Sequence, residues 1–230
     1  MFSAVALLLI RLPRRQVRVV VEREDFVEQL RDGGRSVFGN PPLLRIVATT
    51  ATSNLGSSML GAVYLIFAYR TLHLSPAIVG AVFAVGNAGF VGALLAPRLV
   101  TRFGLPATLT FSMAVAGVVQ FLVPLAVVGL ALPCLIAYQV LESASVPIYN
   151  VAQVSWRQST VPLAMQGRMN ATVRTIAWGT LPLGALIGGA LATAIGVVPT
   201  LVVAAVVQMS AVGWLLNAHV RSLGEAVPKN

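Results

Sequence analysis

The chain has 230 residues, 57% of them hydrophobic and only 10% charged, with a mean hydropathy of +0.85. A soluble domain carries about 25% charged residues, so this composition excludes an ordinary water-soluble globule and points to packed transmembrane helices. The net charge of +9 is not the footprint of a nucleic-acid binder, because the basic residues flank apolar runs instead of forming one patch.

Met1 to Ile10 is apolar but too short to span a bilayer alone. Its basic residues, Arg11, Arg14 and Arg15, follow the apolar run, whereas a signal peptide places them before it. Residues 1–11 therefore read as the end of a truncated helix. Residues 12–42 are different in character and hold five of the seven acids: Glu22, Glu24, Asp25, Glu28 and Asp32. Glu22 to Arg31 is predicted as a short amphipathic helix with Phe26, Val27 and Leu30 on one side. Asp32-Gly33-Gly34 ends it, and Asn40-Pro41-Pro42 leads into the first span. This segment reads as a cytoplasmic loop that covers the bundle, with docking to a partner as the alternative.

Residues 43–220 are predicted to form a bundle of six transmembrane helices, and residues 221–230 a cytoplasmic tail. A span needs about 20 apolar residues. Ile46 to Tyr69 and Leu74 to Pro97 supply the first two. The charge-free run from Phe103 to Leu141 is too long for one crossing, and Pro124 to Pro133 is its natural break. The third span is then Leu105 to Val123 and the fourth Pro133 to Val154. Gly196-Val197-Val198-Pro199 divides the last run, giving Asn170 to Ile195 and Pro199 to Ala218. With six crossings, every Lys and Arg except Arg70 and Arg174 falls on one face, which predicts that both ends are cytoplasmic.

Polar residues inside these spans are the candidate functional groups, since a membrane charge normally faces a bundle interior or a wet cavity. Glu142 is the only acid within a span. Tyr138, Glu142, Ser145, Tyr149 and Gln153 recur at helical spacing and share one face. Two readings stand beside each other: a substrate or proton site, or a structural ion pair with an internal arginine such as Arg174. Thr50, Asn54, Ser57, Gly61 and Tyr64 form a second stripe on the first span. It reads either as helix packing or as a second wall that brings Asn54 and Tyr64 to the same cavity as Glu142. Gly184, Gly188 and Gly189 in the fifth span, and Gly80, Gly86, Gly89 and Gly92 in the second, are predicted to let helices approach closely. Gln120 and Gln208 are expected to make interhelical hydrogen bonds. The single cysteine, Cys134, and the distant His73 and His219 offer neither a disulfide framework nor a metal cluster. No phosphate loop, zinc-protease motif or nucleophile elbow occurs, so the sequence points to no cofactor and no enzymatic activity.

The stretch Gln166-Gly167-Arg168-Met169-Asn170-Ala171, followed by Trp178-Gly179-Thr180-Leu181-Pro182-Leu183-Gly184-Ala185 and Gly188-Gly189, resembles the cytoplasmic loop and eleventh helix of major facilitator superfamily exporters. The similarity is to the enterobactin-exporter and macrolide-efflux branch. Gly92-Ala93-Leu94-Leu95-Ala96-Pro97-Arg98 with Arg102-Phe103-Gly104 resembles the superfamily's basic loop, without its usual acid. The resemblance covers residues 1–220 and matches the C-terminal half of a twelve-helix transporter. It implies that the first and fourth full spans line a central cavity and that two six-helix halves rock about a midplane site.

The expectations that follow are an all-α membrane protein and efflux of a small molecule such as a drug or siderophore, coupled to protons. Glu142, Tyr138, Ser145, Tyr149, Gln153, Asn54 and Tyr64 would serve substrate binding or proton coupling. Arg98, Arg102, Gly104, Gly167 and Arg168 would serve the gating loops. The expected partners are the lipid bilayer of a bacterial plasma membrane, the small-molecule substrate, and either a missing N-terminal half or a second copy. A non-transporting membrane scaffold, or an inactive fragment, is the alternative.

Overall fold

The structure is a computed structural model and describes residues 34–35, 37–161 and 163–216. The expectations for residues 1–11, for the amphipathic helix at 22–31, for His219 and for the tail at 221–230 fall outside the described residues. Among those described, six long helices follow one another and no strand occurs. They are α1 (Pro41–Ile66), α2 (Pro76–Phe103), α3 (Leu105–Val128), α4 (Ala131–Thr160), α5 (Leu163–Ile195) and α6 (Val197–Leu215). α2 through α6 are long and apolar enough to cross a membrane. α1 is not among them: it is long enough, but Thr49, Thr50, Thr52, Ser53, Asn54, Ser57 and Ser58 dilute its apolar content. Its polarity is tolerated because it is wedged between α5 and α6.

The helix ends follow local chemistry. Asn40 caps α1, its Oδ1 accepting from the Leu43 N–H, with proline in the first turn. Ser75 does the same for α2, ahead of Pro76. The long apolar runs break where the backbone turns left-handed, at Gly129 (φ 93°) and Gly196 (φ 90°), conformations that only glycine adopts without cost. Gly104 (φ 83°) makes the same kind of joint between α2 and α3. Several helices outrun the predicted spans. α5 begins at Leu163 instead of Asn170, and α1 at Pro41 instead of Ile46. Counting apolar residues finds the stretch that lies in lipid, whereas the hydrogen-bonded helix runs on to its cap.

The packing is reciprocal between two triplets. α1 packs against α5 and α6, whereas α4 packs against α2 and α3, and α3 meets α6. Each triplet's leading helix is thus held by the second and third helices of the other. The two equivalent seams are built alike. Gly184 and Gly188 of α5 lie so close to α1 that a Cβ there would meet the Leu55 or Met59 carbonyl oxygen at 2.5 Å. Gly86, Gly89 and Gly92 of α2 press on Gln139, Val140, Ser143 and Ala144 of α4 in the same way. In each seam a serine of the leading helix donates to a carbonyl across it, Ser58 to Leu181 and Ser143 to Gly86. Removing the side chain at these glycines lets two backbones approach to van der Waals contact, which is what holds helices together where lipid offers no hydrophobic drive.

The core falls into clusters along the bundle. One gathers Met59, Leu60, Val63, Phe67, Val123, Leu135 and Leu201, and another, toward the opposite end, gathers Ile46, Leu109, Met113, Ala211 and Leu215. Large apolar side chains such as Phe90, Leu94, Phe111 and Leu186 point outward and are each more than 60% exposed, as expected of surfaces that meet lipid. Gln120 donates to the Gly56 carbonyl and Gln208 to Ser53 Oγ, the interhelical hydrogen bonds expected of them.

Candidate functional site

The two polar stripes meet very different fates. On α1 the polar side chains are largely bonded. Asn54 Nδ2 donates to the Ala177 carbonyl at 2.6 Å, and Ser58 Oγ to the Leu181 carbonyl at 2.6 Å. Both acceptors lie on α5, N-terminal to the interior Pro182. Thr50 and Ser57 bond back to the carbonyls of Ile46 and Asn54 on their own helix. Gly61 is exposed, with nothing within 4 Å of where a Cβ would sit. Tyr64 alone keeps a hydroxyl that is buried and without a hydrogen bond.

On α4 the stripe divides. Tyr149 is fully buried. Its hydroxyl donates to the Ile46 carbonyl and lies beside Thr50 Oγ1, both at 3.1 Å. Ser145 turns toward α3, where it lines an apolar groove of about 490 Å3 with Thr108, Ser112, Phe103 and Phe111. Tyr138 is buried against Tyr64, the ring centroids 6.3 Å apart, and Tyr64 reaches on to Phe83 of α2 at 5.5 Å. Glu142 Oε2, Gln153 Oε1, and Nε and Nη1 of Arg157 are buried with no hydrogen-bond partner. These three residues are spaced 11 and 4 apart, three turns and one turn, so they run along one side of α4.

Buried polar atoms are nearly always paired, and each exception calls for an explanation. Glu142 is the only acidic residue among those described. It sits one turn from Tyr138 and therefore beside the Tyr64–Tyr138 contact that joins the two leading helices. The structure thus brings Glu142, Tyr138 and Tyr64 together, while Asn54 faces α5 and Ser145 faces α3. Arg174 does not pair with Glu142. Its guanidinium rests over the Trp178 ring, 5.2 Å from the centroid, and it lines a pocket with Arg157.

The residues expected in the gating loops lie at helix ends. Arg98 and Arg102 are on the last turns of α2, with the Arg102 guanidinium over the Phe103 ring at 5.4 Å, and Gly104 is the joint to α3. Gly167 and Arg168 lie in the first two turns of α5, where Gly167 lines the Arg157 pocket. Arg157 was not among the residues singled out as functional. The sequence signal that could have found it is its place on the same side of α4 as Glu142 and Gln153.

In comparison with known proteins, the family model described as transmembrane secretion effector, of the major facilitator type, matches residues 1–229. No curated protein and no solved structure matches the chain.

Proposed function

The chain belongs to the transmembrane secretion effector family of the major facilitator superfamily, and from that premise we propose that it is the C-terminal half of a secondary active exporter. The family, and the five helices among the described residues that are long and apolar enough to cross a membrane, make it an integral membrane protein of transporter type. Our reading adds the cargo class, a small molecule such as a drug or siderophore, and coupling to protons. It adds as well the bacterial plasma membrane with both ends cytoplasmic, which the distribution of arginines supports.

The observation that carries this reading is the orphaned carboxylate. Glu142 Oε2 is buried without a partner, beside Tyr138 and the Tyr64 ring. A carboxyl left without a cation in an apolar bundle is stable when protonated and becomes costly when ionised. Exchange of its proton for a substrate group is then a natural coupling step between the two states of a rocking transporter. The two tyrosine rings supply flat apolar walls, and the free Tyr64 hydroxyl supplies a directional hydrogen bond. One six-helix half cannot enclose such a site, so the complete transporter requires a further six-helix half, on the same polypeptide or on another copy.

The test is flux across reconstituted vesicles, or efflux from cells, for wild type and Glu142→Gln at matched expression. The expected result is loss of proton-driven transport in the variant, with wild-type rates that change with the pH gradient. Wild-type flux that ignores the pH gradient would remove the coupling step. Full activity in Glu142→Gln would remove the site.

A further inference from the structure

A second feature lies on α4 more than three turns beyond Glu142, in a gap between the end of α4 and the first half of α5. Arg157 stands on the last turn of α4 and is only 7% exposed, yet Nε and Nη1 of its guanidinium are buried without a hydrogen bond. It lines a cavity of about 460 Å3 with Gln158, Gly167, Asn170 and Arg174. Arg174 enters from α5, steadied on the Trp178 ring. The two guanidiniums therefore share one cavity and repel each other across it.

Arg157 is the buried member of the pair, and a buried charge without a counter-charge is among the costliest arrangements in a protein; with a second cation lining the same cavity, the pocket calls for an anion. The described bundle cannot supply one. Glu142 is its only acid, and fifteen residues of helix separate it from Arg157, about 22 Å along the axis. The Tyr149 hydroxyl, two turns back on α4, is already committed to the Ile46 carbonyl. The cavity instead presents donors only from its two arginines, joined by the amide side chains of Gln158 and Asn170. Gly167 also lines the cavity, with nothing within 4 Å of where a Cβ would sit. Planar guanidinium forks beside amide donors are the chemistry that recognises tetrahedral oxyanions.

We propose that the Arg157–Arg174 pocket is a binding site for a phosphate group, separate from the Glu142 site and independent of whether this chain transports anything. The phosphate comes from one of two sources, a soluble oxyanion or the headgroup of an anionic lipid. The pocket's place at the α4–α5 turn makes it accessible from the end of the bundle for either.

The full chain in phosphatidylcholine nanodiscs is titrated with inorganic phosphate at constant ionic strength while tryptophan fluorescence is followed, because Trp178 lies directly under Arg174. In parallel, nanodiscs containing phosphatidylglycerol are analysed for lipid that remains bound to the protein. A saturable phosphate response, weakened at least tenfold in both R157Q and R174Q, establishes the site with a soluble anion as ligand. No phosphate response but retained phosphatidylglycerol that R157Q and R174Q both lose establishes it with a lipid headgroup. Arg174 is exposed, so R174Q keeps the test valid if R157Q folds poorly, and R157K, which keeps the charge, should recover part of the binding. Absence of both responses in wild type, or responses that survive R174Q unchanged, overturns the proposal.

Discussion

α1 and α4 look alike in the sequence, yet the structure uses their polar residues in opposite ways. Each leads a triplet, each carries a polar stripe at helical spacing, and each packs against a glycine face on a parallel helix. On α1, Asn54 and Ser58 are spent on α5 carbonyls, and Thr50 and Ser57 on their own helix. On α4, Glu142, Gln153 and Arg157 retain buried atoms without a hydrogen-bond partner among the described residues, and on α1 only the Tyr64 hydroxyl does so. The difference teaches that polarity inside a membrane helix has two distinct uses. A group that donates across a seam fastens helices together, whereas an ionisable group with no partner, such as Glu142 or Arg157, is placed to meet a ligand, a proton or another chain.

Breaking the comparison begins with its sharpest member. Glu142→Gln is expected to reduce transport by about tenfold or more. It should leave the unfolding temperature in detergent unchanged or raised, because an uncompensated carboxylate is removed. A structural ion pair would behave oppositely, since breaking one costs about 3–5 kcal/mol. Marked thermal destabilisation of Glu142→Gln would return it to the structural class.

The seams come next in size. Gly188→Leu should destabilise the bundle by about 1–3 kcal/mol, because its Cβ alone would meet the Met59 carbonyl oxygen at 2.5 Å. Gly189→Ala, with no atom within 4 Å of its Cβ position, should stay within about 0.5 kcal/mol of wild type. Thermal unfolding of the pair in detergent checks both. Equal effects at the two positions would remove the close α1–α5 approach as a determinant of stability. Gly89→Val repeats the experiment on the α2–α4 seam, and a loss similar to that of Gly188→Leu is expected if the two triplets are equivalent.

The smallest expected effects belong to the α1 side chains that bond to α5. Asn54→Ala and Ser58→Ala should each cost about 0.6 kcal/mol, the scale of an interhelical hydrogen bond in a membrane protein. Neither should alter the pH dependence of transport. A changed pH profile in Asn54→Ala would move α1 from the fastening class to the functional one.

Much of this molecule could be read from its residues in order. The break at Gly196 and the break between Pro124 and Pro133 were legible because a long charge-free run must turn, and glycine marks where. The polar stripes and the single intramembrane acid were legible because spacing alone fixes which side chains share a helix face. The close-packing glycines of α2 and α5 were legible as well, since small residues recur at intervals of three and four. Their partners were not. Nothing local to Gly184 says that it meets Leu55, or to Gly86 that it meets Gln139. Which carbonyl Asn54 would find, and that Arg174 would stand with Arg157 instead of pairing with Glu142, depend on residues more than one hundred positions away or on another helix altogether. Composition and periodicity, summed along one chain, thus determined the membrane class, the helices and the candidate residues. Only the packing of one helix against another decided which polar groups are satisfied and which are left waiting, because a hydrogen bond is a property of two partners and the sequence lists them one at a time.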